Sequence, residues 1–269
     1  MFAYLEILRP LNGLIAVFAV FVAAILVNFF IPYQLLLALL VVFLISSGGM
    51  IINDYFDYEI DKINRPERPI PSGRISRKNA LIYAIVLFLI ANIIALFLNF
   101  YIFTLALLNT IINIIYSWKL KKRLLIGNLF VSWLAASTFL FGSLLNETIT
   151  VTILTLFLIA FSSNVGREIT KTIEDIKGDR SRGVKSLPLV AGEKFAGLIA
   201  MIFVLFAIFF SPLPYMLNLL SINYLYIVIV ADIIFAFSCF LIFILPKRSQ
   251  KLMKIAMFVA IIAFLTGIL

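Results

Sequence analysis

The chain has no histidine and a single cysteine among its 269 residues. Without histidine there is no His-ligated haem, no His-based zinc site and no Ser-His-Asp catalysis. Cys239 stands alone in an apolar segment, so there is no disulfide framework. Acids are scarce too, 13 Asp and Glu against 22 Lys and Arg, and the net charge is +9. Each cluster of acids is therefore conspicuous.

Apolar residues fill the rest. The chain is 64% hydrophobic with a mean hydropathy of +1.14, far above a soluble domain. Nine apolar segments cover 11–31, 34–52, 80–99, 101–117, 127–145, 150–170, 195–217, 222–245 and 251–269. Several have the length, about 20 residues, that a helix needs to cross the hydrocarbon core. Backbone groups in lipid must bond within their own segment, so these are helices. The run after Arg9-Pro10 is too long for a signal-peptide core and is read as the first helix. The expected fold is an all-α polytopic membrane protein with nine transmembrane helices.

Basic residues lie before segment 1 or at and beside the loops after segments 2, 4, 6 and 8, whereas the only charge in the other loops is Glu147. The positive-inside rule then puts the N-terminus and the even loops in the cytoplasm and the C-terminus outside. That charged face suits membrane lipids with anionic headgroups or anionic substrates; nucleic acid is a poor partner for so apolar a chain. Asn146-Glu147-Thr148 is a glycosylation sequon on the outer side.

Two acidic clusters sit at the inner ends of apolar segments. The first is Asn53-Asp54-Tyr55-Phe56-Asp57-Tyr58-Glu59-Ile60-Asp61, and the second runs from Arg167 through Glu168, Lys171, Glu174 and Asp175 to Asp179. Asp57 and Asp61 are four apart, as are Asp175 and Asp179, so on a helix each pair shares a face. Asn53 lies one turn before Asp57. Solvated loops with weak surface pairs account for Glu59, Glu67 and Glu193, but not for paired spacing in two places next to the membrane. Oxygen donors of this kind suit Mg2+, which binds a few carboxylates and completes its shell with substrate phosphates. Asn53, Asp54, Asp57, Asp61, Asp175 and Asp179 are the candidate ligands. Arg9, Arg65, Arg68, Lys119, Lys121, Lys122, Arg123 and Lys171 supply positive charge, and from these Arg9, Arg68, Lys119, Arg123 and Lys171 are the candidates for diphosphate or for an acceptor's phosphate. Asp232 lies deep inside segment 8, away from both clusters, and an intramembrane acid calls for a role.

The two motifs recur at an interval of 118 residues, each ending an even-numbered helix and leading into a basic loop. This predicts one domain over 1–269 made of tandem four-helix repeats, 10–126 and 127–245, plus an extra helix at 251–269.

At these residues the chain resembles the UbiA-type intramembrane prenyltransferases. Asn53-Asp54-x-x-Asp57-x-x-x-Asp61 resembles their first signature and Asp175-x-x-x-Asp179 their second. Arg9-Pro10, Arg68-Pro69, Ser72-Gly73, Tyr116-Ser117, Lys119 and Gly127-Asn128 are smaller echoes. The resemblance implies a central cavity among the helices, with Mg2+ bridging both motifs and a prenyl diphosphate. The leaving diphosphate is neutralised, the allylic C–O bond ionises, and an acceptor nucleophile captures the carbocation-like centre. The first loop resembles the branch that handles geranylgeranyl groups, and the second motif resembles its archaeal ether-lipid members. That implies a lipid-phosphate acceptor, the sn-2 hydroxyl of geranylgeranylglyceryl phosphate. An aromatic or quinone-precursor acceptor is the alternative within the family. Outside it stand a divalent-cation transporter, which would spread its acids along a path through the membrane, and a purely structural membrane protein, which predicts no paired motifs.

Overall fold

The computed structural model describes residues 2–176 and 185–267, without the side chains of Lys122 and Leu124. Among the described residues there is no strand, only one isolated backbone bridge between Arg123 and Lys185. Thirteen α-helices are seen there. They are α1 (Phe2–Ile7), α2 (Pro10–Leu26), α3 (Pro32–Phe56), α4 (Tyr58–Asn64), α5 (Arg77–Leu98), α6 (Phe100–Trp118), α7 (Leu124–Ser143), α8 (Val151–Glu174), α9 (Leu187–Ala191), α10 (Glu193–Phe210), α11 (Leu213–Met216), α12 (Ile222–Leu241) and α13 (Pro246–Thr266). Single 3-10 turns lie at Leu120–Lys122 and Leu144–Asn146.

Among the described residues eight spans are long and apolar enough to cross a membrane, α10 and α11 counting as one, Glu193–Met216. The chain is thus an integral membrane protein. The first expected span differs: α2 has 17 residues and is about 25 Å long at 1.5 Å per residue, short of the roughly 30 Å hydrocarbon core. The expected end at residue 31 moves back to Leu26 because Asn28 turns left-handed at φ 54°. The amide of Phe29 then bonds Ala24 C=O at 3.0 Å and that of Asn28 bonds Ile25 C=O at 2.9 Å, a C-terminal cap for which Asn is suited. Similarly, segment 195–217 is broken at Ser211 because Pro212 and Pro214 follow.

Local chemistry sets the other helix starts. Ser76, Asn99 and Thr150 accept hydrogen bonds from the amides of Asn79, Ile102 and Ile153, as N-caps do. Pro10, Pro32 and Pro246 open helices where no amide is needed.

The chain divides into two compact units, Met1–Leu120 with Thr138–Ile149, and Lys121–Ser137 with Thr150–Leu269. In the first, α3 is the hub and packs on α2, α5 and α6. Small residues permit the approach: Gly13 lies under Phe43 and Gly48 under Phe88. The Asn146 side chain donates to Val27 C=O at 3.1 Å, so the sequon amide ties this loop to the end of α2. In the second unit α8 packs on α10 and α13, and α12 lies between α13 and α10. Val165, Ile169, Ala196, Ala200, Val204, Phe235, Met253 and Ala256 belong to its apolar core.

A methyl group on Gly166 would lie 2.8 Å from Ala200 C=O and 2.5 Å from Val204 Cγ2. Overpacking of that kind costs about 1–3 kcal/mol. Gly166→Ala is therefore expected to lower the thermal midpoint of the detergent-solubilised protein, while Gly73→Asn, at an open left-handed turn (φ 75°), is expected to change it little.

Candidate active site

The first acidic cluster spans the junction of α3 and α4. Asp57 is the one residue between the helices, with φ −82° and ψ 1°. Its amide bonds Asn53 C=O at 2.9 Å and its carbonyl accepts from Asp61 at 2.8 Å. Helical hydrogen bonding thus runs through the break, and the Asn53 side-chain amide donates to Asp57 Oδ2 at 3.0 Å. Each residue turns the helix by about 100°, so from Asn53 the side chains fan through roughly 40° at Asp57, 80° at Asp61 and 100° at Asp54. The cluster therefore has two edges, Asn53 with Asp57 and Asp61 with Asp54.

The second edge is occupied by arginine. Asp54 and Asp61 are only 2% and 4% exposed. Arg9 Nη2 donates to Asp54 Oδ1 at 2.5 Å, and Arg68 Nη1 donates to the same oxygen at 3.1 Å and to Asp61 Oδ2 at 2.6 Å. Two guanidinium and two carboxylate groups form a charge-neutral box. Arg9 reaches it from a left-handed backbone, φ 49° and ψ 61°, between α1 and Pro10, a conformation that costs a residue with a side chain about 1–2 kcal/mol.

Arg68 arrives because the loop after α4 folds back on itself. Ser72 Oγ donates to Arg68 C=O at 2.7 Å, Ile75 bonds Pro69 C=O at 2.9 Å, and Ile70 and Ile75 are buried. Arg74 straps the loop to α1 through two bonds to Glu6, 2.5 and 2.9 Å. That fork holds the Glu6 carboxyl below its usual range, so the strap is present at neutral pH and is lost only as pH falls through this lowered value.

The second cluster closes α8. Asp175 is the helix C-cap at φ −85° and ψ 3°, and its amide bonds Lys171 C=O at 3.0 Å. The local geometry repeats that of Asp57 within a few degrees. Here the carboxylate is exposed. The buried acid is Glu168, which accepts from Arg167 at 2.8 Å and from Lys171 at 3.5 Å. Glu174 accepts from Gln250 of α13 at 3.2 Å. Asp179 lies outside the described residues.

The remaining basic candidates are scattered. Lys119, at the end of α6, lies 3.8 Å over the Trp118 ring, and Arg123 forms the backbone bridge to Lys185. Among the described residues of the second unit, three buried polar atoms lack a hydrogen-bond partner, Arg167 Nε, Asn128 Nδ2 and Ser186 Oγ; the sequence marked Arg167 in the second cluster and Asn128 among the family echoes, but not Ser186. Each can donate to an anion; their spacing in the chain, 128, 167 and 186, gives no periodic signal. Asp232 accepts from Ser211 Oγ at 2.5 Å, and Ser211 C=O accepts from Tyr224 at 2.5 Å, a structural tie between α12 and the end of α10.

The donors fit a hard divalent cation. They are carboxylate and amide oxygens, with no thiolate or imidazole nearby. Among the described residues no three His, Cys, Asp or Glu side chains gather into a complete metal cage. Mg2+ does not demand one, since it is held by one or two carboxylates plus phosphate and water.

Residues 13–262 match the family model for the UbiA prenyltransferase family. A relative from Methanosphaera stadtmanae named digeranylgeranylglyceryl phosphate synthase is 42% identical, over 99% of this chain and 99% of its own. A solved structure concerned with digeranylgeranylglyceryl phosphate synthase in membranes is 35% identical, with a TM-score of 0.85 over 99% of this chain and 97% of that one. An Archaeoglobus fulgidus UbiA homologue solved with DMAPP and Mg2+ shares the fold at 17% identity, with a TM-score of 0.73 over 98% of this chain and 97% of that one.

Removing one partner from a buried charge pair costs about 3–5 kcal/mol, whereas exposed pairs contribute about 1 kcal/mol or less. Arg68→Ala is expected to lower the thermal midpoint far more than Arg74→Ala, because it strips the cation that faces both Asp54 and Asp61; thermal unfolding of both variants in one detergent compares them.

Proposed function

The chain belongs to the UbiA prenyltransferase family, and from that premise we propose that it transfers a geranylgeranyl group from geranylgeranyl diphosphate to the sn-2 hydroxyl of geranylgeranylglyceryl phosphate. The observation that carries the acceptor and donor is the 42% identity, over essentially the whole of both chains, to a relative named for that synthesis. The reaction breaks the allylic C–O bond of the donor and forms an ether C–O bond to the glycerol oxygen. It releases diphosphate and a proton.

Asn53, Asp57 and Asp61 of the first cluster and Asp175 and Asp179 of the second are the residues we assign to holding Mg2+ and, through it, the diphosphate. The Asn53–Asp57 contact, at a helix junction whose geometry the Asp175 cap repeats, supports the assignment, with Arg68 holding Asp61 in place beside it. When bound, Mg2+ supplies Lewis-acid neutralisation of the leaving diphosphate. The protein's own share is different. Its carboxylates fix the position of the charge, its donors at Arg167, Asn128 and Ser186 offer hydrogen bonds to anionic oxygens, and its apolar helices keep bulk water from the reacting carbon. The lipid acceptor is anionic as well, which the surplus of basic residues at the even loops suits.

The positive-inside pattern supports a cytoplasmic side for this chemistry, with the N-terminus in. If α2 also spans, as its 17 residues allow at the lower limit, nine helices cross the bilayer and the C-terminus is outside. The matching caps at Asp57 and Asp175 support a tandem repeat within one membrane domain.

Purified protein given labelled geranylgeranyl diphosphate, the lipid acceptor and Mg2+ is expected to move label into an ether lipid. EDTA should stop transfer and added Mg2+ restore it; transfer indifferent to chelation contradicts the metal assignment. Asp57→Ala and Asp175→Ala are each expected to abolish turnover while the protein still folds and inserts, and near-normal rates in both refute the site.

A further inference from the structure

We infer that Asp54 is a positioning residue that anchors the Arg9 and Arg68 guanidinium groups, and through Arg68 orients Asp61, without itself contacting metal or substrate. The inference rests on the prenyl-transfer reading and narrows it, because spacing alone makes Asp54 as good a metal ligand as Asp57.

Three observations separate the two acids. First, Asp54 Oδ1 receives both Arg9 at 2.5 Å and Arg68 at 3.1 Å. A carboxylate oxygen already taking two charge-assisted donors has little electron density left for a cation, and two adjacent guanidinium charges repel one. Second, the helical fan puts Asp54 on the edge away from Asn53, and its side chain is only 3% exposed. Third, the same Arg68 nitrogen that holds Asp54 also donates to Asp61 Oδ2 at 2.6 Å. Asp54 and Asp61 are thus linked through one donor atom, and moving the first releases the hold on the second.

The box also explains the backbone of Arg9. A left-handed residue immediately before proline is disfavoured on its own. The ion pair to Asp54 helps to retain it, with the backbone bonds from Arg9 N–H to Glu6 C=O and from Asn12 N–H to Arg9 C=O, and ties the corner from α1 into α2 to α3. Arg and Lys are not equivalent here. The Arg68 nitrogen that bridges the two acids is held at the end of a rigid plane, whereas an ammonium is a point charge on a flexible stem.

The test is a pair of double-mutant cycles on full-length protein in detergent or vesicles, with the folded fraction measured for each variant. Asp54→Asn and Arg68→Lys are each expected to lower kcat of the folded enzyme by about 10- to 100-fold, the range typical when a group that orients a metal ligand is lost. The loss should fall in kcat rather than in donor KM, as for an interaction felt in the transition state. The Asp54→Asn/Arg68→Lys double variant should be no slower than the worse single, since the residues act through one contact. Asp54→Asn combined with Arg9→Lys should likewise be no slower than the worse single, because Arg9 meets the same oxygen. Three results overturn the inference: wild-type kcat in folded Asp54→Asn, multiplied losses with Arg68→Lys, or multiplied losses with Arg9→Lys. Should Asp54→Asn not fold, Arg9→Lys takes its place, because Arg9 shares the same oxygen; it must then be non-additive with Arg68→Lys, and multiplied losses again overturn the inference. Full activity in Asp57→Asn alone would count against the metal assignment and leave the Asp54–Arg68 cycle to be read independently.

Discussion

A carboxylate at the end of an apolar helix must find a counter-charge or take up a proton, and the first unit is organised around that demand. Asp54 and Asp61 are nearly inaccessible, and two arginines from distant parts of the chain come to meet them. Arg9 comes from the corner before α2, which accepts a left-handed backbone to reach. Arg68 comes from a loop that is packed, strapped to α1 by Arg74, and closed on its own carbonyls. What looks in the sequence like a basic, Pro-rich cytoplasmic loop is in fact a bracket for one guanidinium. Asn53 and Asp57 form the other edge of the cluster, joined by the bond from the Asn53 amide to Asp57 Oδ2.

The second unit handles its charges differently. Asp175 repeats the cap geometry of Asp57, but the residue one turn before it is Lys171 where the first motif has Asn53. The buried acid is Glu168, and its partners Arg167 and Lys171 are neighbours on the same helix. One motif therefore carries an amide and a neutralised pair of acids, the other a lysine and an arginine whose Nε has no partner. The asymmetry suits the proposed prenyl transfer, in which carboxylates would hold cations and N–H and O–H donors would meet anionic oxygens.

Much of this was legible beforehand. Hydropathy located every long helix among the described residues, since the lipid requirement for internal hydrogen bonding leaves few options, and the i, i+4 spacing put Asn53 and Asp57 one turn apart, where the Asn53 amide meets Asp57 Oδ2, whereas Asp61, expected on the face of Asp57, turns to Arg68. The misses have local causes. The apolar run to residue 31 concealed the asparagine cap at Asn28, and the run to 217 concealed the break before Pro212. The division of the first cluster into two edges could not be read from spacing, because it depends on where Arg9 and Arg68, 45 and 14 residues from Asp54, return in space. Asp232 was conspicuous as an intramembrane acid, but nothing in the pattern named Ser211 as its partner.

Product identity bears most directly on the central claim. Purified protein in vesicles with Mg2+ and geranylgeranyl diphosphate would be offered geranylgeranylglyceryl phosphate and a phenolic quinone precursor together, and the products identified by mass spectrometry. The expected product is the glycerol lipid bearing a second geranylgeranyl ether at its sn-2 oxygen, with the phenol untouched. A prenylated phenol beside unchanged glycerol lipid would contradict the account.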